Sequence, residues 1–444
     1  MFHTCGARRW VWVLVLISLP LLGMAQTHTL TMEEAVKKAL DQSINLKKSA
    51  IDLAQTGYSA GRLWSEIFPG ISFSAGLTFL PSTTVFTEPG FVYKNENLSY
   101  SLNFGLTLSL NPSFYSSMKR IDLAYRSQLL SYENASKQLE IQVIKNFLSL
   151  ANMKENISHL EQSLELAIQK LETDRIARQN GFLSELVWLN SQLSVETARY
   201  NLSSAQGAYQ NALGEFLALL GMERYYDIKY EGTVETLPVD LQAEQLILEY
   251  LPKRPDVKSQ RMTIERLELS KNVTSLASRS PTLNLSTQWR GNPAPNEGIG
   301  GPFTDNLSGS VTLNFPLDSW VPGTKQSQAI RAAGTELEKA RLDLQNTETQ
   351  AKTQIRILVS NLSRTWESLE IARLRVSVAE RTVEVTDQGF RNGTVEFRDL
   401  EDRRQDLSDA RQRFLQSELT YQSMLLDLAA ALNVEWKELI RGLQ

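Results

Sequence analysis

The chain has 444 residues, 42% hydrophobic and 22% charged, with a net charge of −4 and the two signs interspersed. No basic block is present, which argues against a nucleic-acid partner. One cysteine and three histidines leave little material for a thiolate metal site or histidine-based catalysis, and no nucleotide loop or metal-ligand cluster appears. Residues 1–25 predict a secretory leader: Arg8 and Arg9 precede an apolar stretch from Trp10 to Leu22, and Gly23-Met24-Ala25 supplies the small residues read at cleavage. Loss of that leader removes Cys5 with two basic residues and no acid, taking the net charge from −4 to −6. The expected mature protein begins at Gln26, without lipid, thiol or disulfide.

The remainder predicts two similar halves, 26–237 and 238–444. Phe68-Pro69-Gly70-Ile71-Ser72-Phe73 and Ser280-Pro281-Thr282-Leu283-Asn284-Leu285 are offset by 212 residues, as are Asn180-Gly181 and Asn392-Gly393. The first half opens with an amphipathic helix, Met32 to about Ile67, with Thr31 as N-cap and Glu33 and Glu34 in its first turn. Two strands follow, 71–80 and 98–111. In the second, every even position from Leu98 to Leu110 is apolar and every odd one small or polar, the signature of a strand with one apolar face. The segment between them, Ser82 to Asn97, reads as a loop. From Ser116 to Arg178 there is neither glycine nor proline, and apolar residues recur at three- and four-residue spacing, as in a coiled coil. Asn180-Gly181 ends that helix, and a return helix runs to about Leu220.

The second half repeats the order. A helix from Gln242 to Ser278 is broken at Pro252 to Pro255. Strands 282–290 and 306–316 flank a loop from Gly291 to Thr304. A long helix then reaches Asn392-Gly393, and a return helix ends near Leu432. No segment is long and apolar enough for a transmembrane helix, but strands of this length suit a transmembrane β-barrel. Four strands per chain cannot close around useful space, and an open sheet edge is not tolerated in lipid, so several copies are required. Two copies would give eight strands and three would give twelve; the residues do not choose between them.

This duplicated helix–strand–strand–hairpin order behind a secretory leader resembles the TolC-like outer-membrane efflux proteins. So do Leu30-Thr31-Met32-Glu33-Glu34-Ala35 at the first helix, Phe68-Pro69 entering a strand, and the tip run Asn392-Gly393-Thr394-Val395-Glu396-Phe397-Arg398-Asp399-Leu400-Glu401-Asp402. The resemblance implies a mixed α/β membrane protein and a homotrimer. Its 12-stranded transmembrane β-barrel would be continuous with a long periplasmic α-helical coiled-coil barrel. It implies a passive exit duct of a tripartite efflux or type I secretion system in the bacterial outer membrane, without cofactor or catalysis. The partners would be outer-membrane lipid, a periplasmic adaptor (membrane fusion protein) and an inner-membrane pump of RND or ABC type. Gly181 and Gly393 would be adaptor-docking tips, and Asp399 and Asp402 a periplasmic gate. The family's locking residues are altered at Val395, Val187 and Phe390, so Phe390, Arg398 and Glu185 are the expected gate contacts. A barrel-anchored adhesive or structural coiled-coil protein is the alternative; it would carry a separate passenger domain, and no segment is left for one.

Overall fold

The computed structural model describes residues 29–80, 83–87, 90–94, 97–222, 229–231, 236–238, 241–293 and 302–441. The leader and its cleavage point lie outside the described residues. The short strand β1 (Thr29–Thr31) pairs in parallel with β6 (Lys229–Glu231). Helix α1 (Met32–Gln42) starts in a capping box: the Thr31 hydroxyl accepts from the Glu34 amide at 3.2 Å, and the Glu34 carboxylate accepts from the Thr31 amide at 3.3 Å. Two otherwise orphaned amides are thereby satisfied.

The helix expected as one piece to Ile67 is broken. Ser43 leaves helical geometry with φ −55° and ψ 122°, and its hydroxyl accepts from the Leu46 amide to start α2 (Ile44–Ala60). A 3-10 turn (Leu63–Ile67) then leads into β2 (Gly70–Leu80). A serine that caps locally offers the backbone an alternative to continued helix, without proline or glycine. The expected loop after β2 contains a second hairpin, β3 (Thr83–Thr87) with β4 (Gly90–Lys94), before β5 (Asn97–Leu110).

Helix α3 (Phe114–Gln179) and its return α4 (Glu185–Leu219) form the first long hairpin. The second half supplies α5 (Ala243–Tyr250), a proline-bearing 3-10 turn, α6 (Pro255–Arg279), β7 (Thr282–Pro293) and β8 (Phe303–Asn314). Its hairpin is α7 (Lys325–Arg391) with α8 (Phe397–Leu432), followed by the short α9 (Trp436–Arg441). At 1.5 Å per residue, α3 and α7 each run about 100 Å.

The repeat extends to single hydrogen bonds. Gly181 and Gly393 have φ of 78° and 73°, and the amides just past them return to Ala177 and Gly389, each at 2.9 Å. Gly221 and Asn433, again 212 apart, end the return helices with φ of 69° and 59°. The next amides bond back to Leu217 and Ala429, closing the same type of left-handed C-cap.

The core sits midway along the molecule, where both hairpins return. Phe147, Phe216 and Leu220 from the first meet Leu425, Leu428 and Leu432 from the second. Tyr421 is fully buried, packs edge-on against Trp366 at 5.2 Å, and its hydroxyl donates to the Leu237 carbonyl. Burial pushes its phenol up to about 12. Two rows of helices leave this core. Towards the sheet, α2 packs on α3, α3 on α6 and α6 on α7; towards the tips, α4 packs on α3, α3 on α8 and α8 on α7.

Candidate functional site: a two-faced sheet and two hairpin tips

The four long strands form one antiparallel sheet in the order β2-β5-β7-β8. Register places Phe73 beside Phe104 and Phe104 beside Trp289, which in turn lies beside Leu307. Ile71, Phe73, Leu77, Leu307, Val311 and Leu313 all lie exposed on this face. The opposite face is polar. There Ser109 donates to Asn284 at 2.7 Å, Ser286 and Ser310 share a bond of 2.7 Å, and Arg290 donates to Asn103 at 3.0 Å.

Aromatic rings flank the apolar band. At the loop end Phe303 stacks on Tyr100 with centroids 6.4 Å apart and lies 6.1 Å from Trp289, whose indole N–H donates to Asp305. At the helix end Trp64 meets Phe68 edge-on at 5.3 Å. An apolar band between aromatic girdles is the pattern that membrane interfaces select. Among the described residues β2 and β8 are the outer strands of this sheet, so each presents one row of backbone donors and acceptors with no partner strand there.

At the far end of the molecule, the first tip is held by local charges. Arg178 donates to Glu185 at 3.4 Å across the turn, and its guanidinium lies 4.3 Å from the Trp188 ring. Deeper in the same hairpin the buried Ser191 hydroxyl donates to the buried Asp174 carboxylate. At the second tip Asp387 sits between two arginines, 2.8 Å from Arg391 and 3.7 Å from Arg404; Arg404 also reaches Glu401 at 3.1 Å. Among the described residues Asp399 and Asp402 make no ion pair, and both are exposed on the first turns of α8.

The expected site residues are thus distributed over two tips. Asp399 and Asp402 share one face of α8, as their spacing required. Glu185 pairs with Arg178 on its own hairpin. Phe390 lies beside the second turn and is partly exposed. A Cβ placed on Gly181 or Gly393 would meet nothing within 4 Å, so both turns stand free and only their positive φ demands glycine. The Asp387 and Asp174 clusters escaped sequence reasoning because each joins two helices. The one local signal was Asp387 four residues before Arg391, which suits a helical ion pair. Among the described residues no group of His, Cys, Asp and Glu could hold a metal ion, and no helix is long and apolar enough to cross a membrane.

A family model described as "Outer membrane efflux protein" matches residues 35–222 and 246–434, one match in each half. The chain belongs to this family. It is an outer-membrane channel protein that extends into the periplasm, and not an enzyme. Solved structures share the fold. The Campylobacter jejuni CmeC outer membrane channel aligns with a TM-score of 0.73 at 17% identity, over 93% of this chain and 88% of its own. The Vibrio cholerae outer membrane protein VceC gives 0.69 at 14%, over 91% and 96%. The open state of the Neisseria gonorrhoeae MtrE channel gives 0.70 at 15%, over 91% and 89%. No curated protein sequence matches this one.

Proposed function

We propose that three copies of this chain form the outer-membrane exit duct of a tripartite efflux or type I secretion system. The observation that carries this reading is the open sheet with one apolar face, one polar face and two unpartnered edges. In lipid such edges must be closed by further strands, and β2 of one copy and β8 of another are the strands available. Three copies close twelve strands around a water-filled lumen, with Tyr100, Phe104, Leu106, Leu285 and Phe315 towards lipid and Ser101, Asn103 and Thr107 towards water. The long hairpins then form a periplasmic tunnel. Their tips at Gly181 and Gly393 meet a periplasmic adaptor coupled to an inner-membrane pump of RND or ABC type, and Asp399 and Asp402 ring its narrowest point. Each mature chain begins at Gln26 and is built from the repeats 26–237 and 238–444.

The experiment is a mass measurement in mild detergent together with single-channel recording in planar bilayers. A mass of three mature chains and a steady conductance are expected. A monomer or dimer that conducts would refute the trimer, and a trimer that never conducts would favour the barrel-anchored adhesive reading.

A further inference from the structure

The strands β2, β5, β7 and β8 hold two ionic side chains, Arg290 and Asp305. The two lie on opposite faces of the sheet. Asp305 accepts from the Trp289 indole on the apolar face, at the loop-end girdle. Arg290 follows Trp289 along β7 and so points to the other face, where its Nε donates to the Asn103 side chain at 3.0 Å. Register sets Asn103 on one side of Arg290 and Asn306 on the other, with Ser74 beyond Asn103. No acid stands in that row. Arg290 is exposed, and among the described residues it makes no ion pair.

The bond to Asn103 uses one of the five N–H groups of the guanidinium and leaves its fork open. A tie between two strands needs a donor but no charge, and a neutral side chain would serve. The charge itself is left without a counter-charge on a face whose other side chains are neutral. Its reach decides whether a lumen would feel it. Twelve strands about 4.8 Å apart and tilted about 40° make a backbone circle of roughly 12 Å radius. An arginine pointing inward from that circle stands within one Debye length of the axis, about 10 Å at 0.1 M ionic strength.

We propose that Arg290 is a specificity-determining residue that makes the barrel favour anions, with three guanidinium groups at one level near the outer mouth. This rests on the trimeric duct proposed above and adds a filter at its exit. The three charges, screened at about 0.1 M, should favour chloride over potassium by on the order of two- to five-fold. The open fork of each guanidinium suits a phosphate or carboxylate held by two parallel hydrogen bonds, so multivalent oxyanions should bind at this level. The duct then carries two opposed filters in series. Acids at the tips favour cations, and the arginines at the mouth favour anions.

The test is the reversal potential in planar bilayers under a potassium chloride gradient, with mass in mild detergent measured on the same samples. The parent is the full chain with Asp399→Ala/Asp402→Ala, so that the tip acids do not mask the barrel. Arg290→Gln should lower the chloride-to-potassium permeability ratio by the two- to five-fold above at about 0.1 M salt, and far less at about 1 M, where the Debye length is about 3 Å. Arg290→Lys should keep the chloride preference. Inorganic tripolyphosphate added on the loop side should reduce the parent's current, Arg290→Lys should weaken that block, and Arg290→Gln should remove it. Asn306→Glu tests the same charge without touching Arg290, because a carboxylate across the strand pair should cancel the preference. A conducting three-chain parent whose ratio is unchanged by Arg290→Gln or by Asn306→Glu overturns the ring and leaves the duct standing. An equal change at both salt concentrations, or loss of the preference in Arg290→Lys, overturns it as well. A parent that is not a three-chain particle, or that never conducts, overturns the duct and the ring together.

Discussion

Glu418 on α8 is partly buried against α3, where burial and then the nearby Glu155 raise its carboxyl above the usual range, while Thr236 and Arg373 act in the opposite sense. A carboxyl whose folded-state pKa is raised favours the folded state most when protonated. Its contribution is fully present below the unfolded pKa of about 4.3 and is lost as pH rises through the folded value. Glu418→Gln should therefore raise the thermal midpoint at pH 7.5, with the gain shrinking towards pH 4, as followed by circular dichroism; a gain of equal size at both pH values would show that charge is not its cause. In the proposed trimer, six carboxylates from Asp399 and Asp402 would surround one opening at the tip. Crowded like charges in a narrow passage attract cations. Asp399→Ala/Asp402→Ala should lower cation selectivity and weaken block by divalent ions added from the periplasmic side in bilayer recordings. Unchanged selectivity and block would place the constriction elsewhere. This pair was legible because three-residue spacing on one helix is a local property. The Asp387–Arg404 contact was not, because it depends on how α7 meets α8.

Single elements were read most securely where one physical period dominated. The alternation from Leu98 to Leu110 became β5, with bounds shifted by one residue, because only a strand sends alternate side chains to opposite faces. The run from Ser116 to Arg178, free of glycine and proline, became α3. Reading failed where a local bond outvoted periodicity, as at Ser43, and where one composition serves two structures. Proline, glycine and asparagine are common in open loops and tight hairpins alike, so β3 and β4 passed as loop. Phe104 sits mid-strand on the apolar face between Phe73 and Trp289. Phe104→Arg should cost about 2–4 kcal/mol near the membrane midplane, seen as a lower yield of heat-resistant oligomer in outer membranes; wild-type yield would mean that this face is not in lipid. Gly181→Trp and Gly393→Trp should each abolish export while leaving the oligomer assembled, since both turns project into open space. Normal export with both changes present would remove the tips from adaptor docking.

Across the whole molecule, duplication was the easiest feature to read and the arrangement of the halves the hardest. A shared offset of 212 needs only the sequence. The order of strands and helices, and hence which edges are left bare, needs the fold. The halves are not uniform copies. The described strand hairpin β7–β8 starts 212 residues after its counterpart, yet β8 ends only 204 residues after β5. The link that includes the 3-10 turn Asp318–Trp320 makes up all but one residue of the difference, and α7, at 67 residues against 66 for α3, makes up the last. Both glycines thereby return to the common offset.

That compensation makes the protein a ruler. In the proposed trimer, two arms of equal reach would put all the turns at one level, so the gap such a duct spans would be a length written in helical residues. Taking seven residues from one arm pair alone would leave its turn about 10 Å short of the other and make a ragged end. Taking seven from all four helices would keep every stripe in phase and yield a shorter ruler with a level end. Reach can then be trimmed or extended in whole heptads, which fixes the step by which such a duct can be fitted to envelopes of different depth.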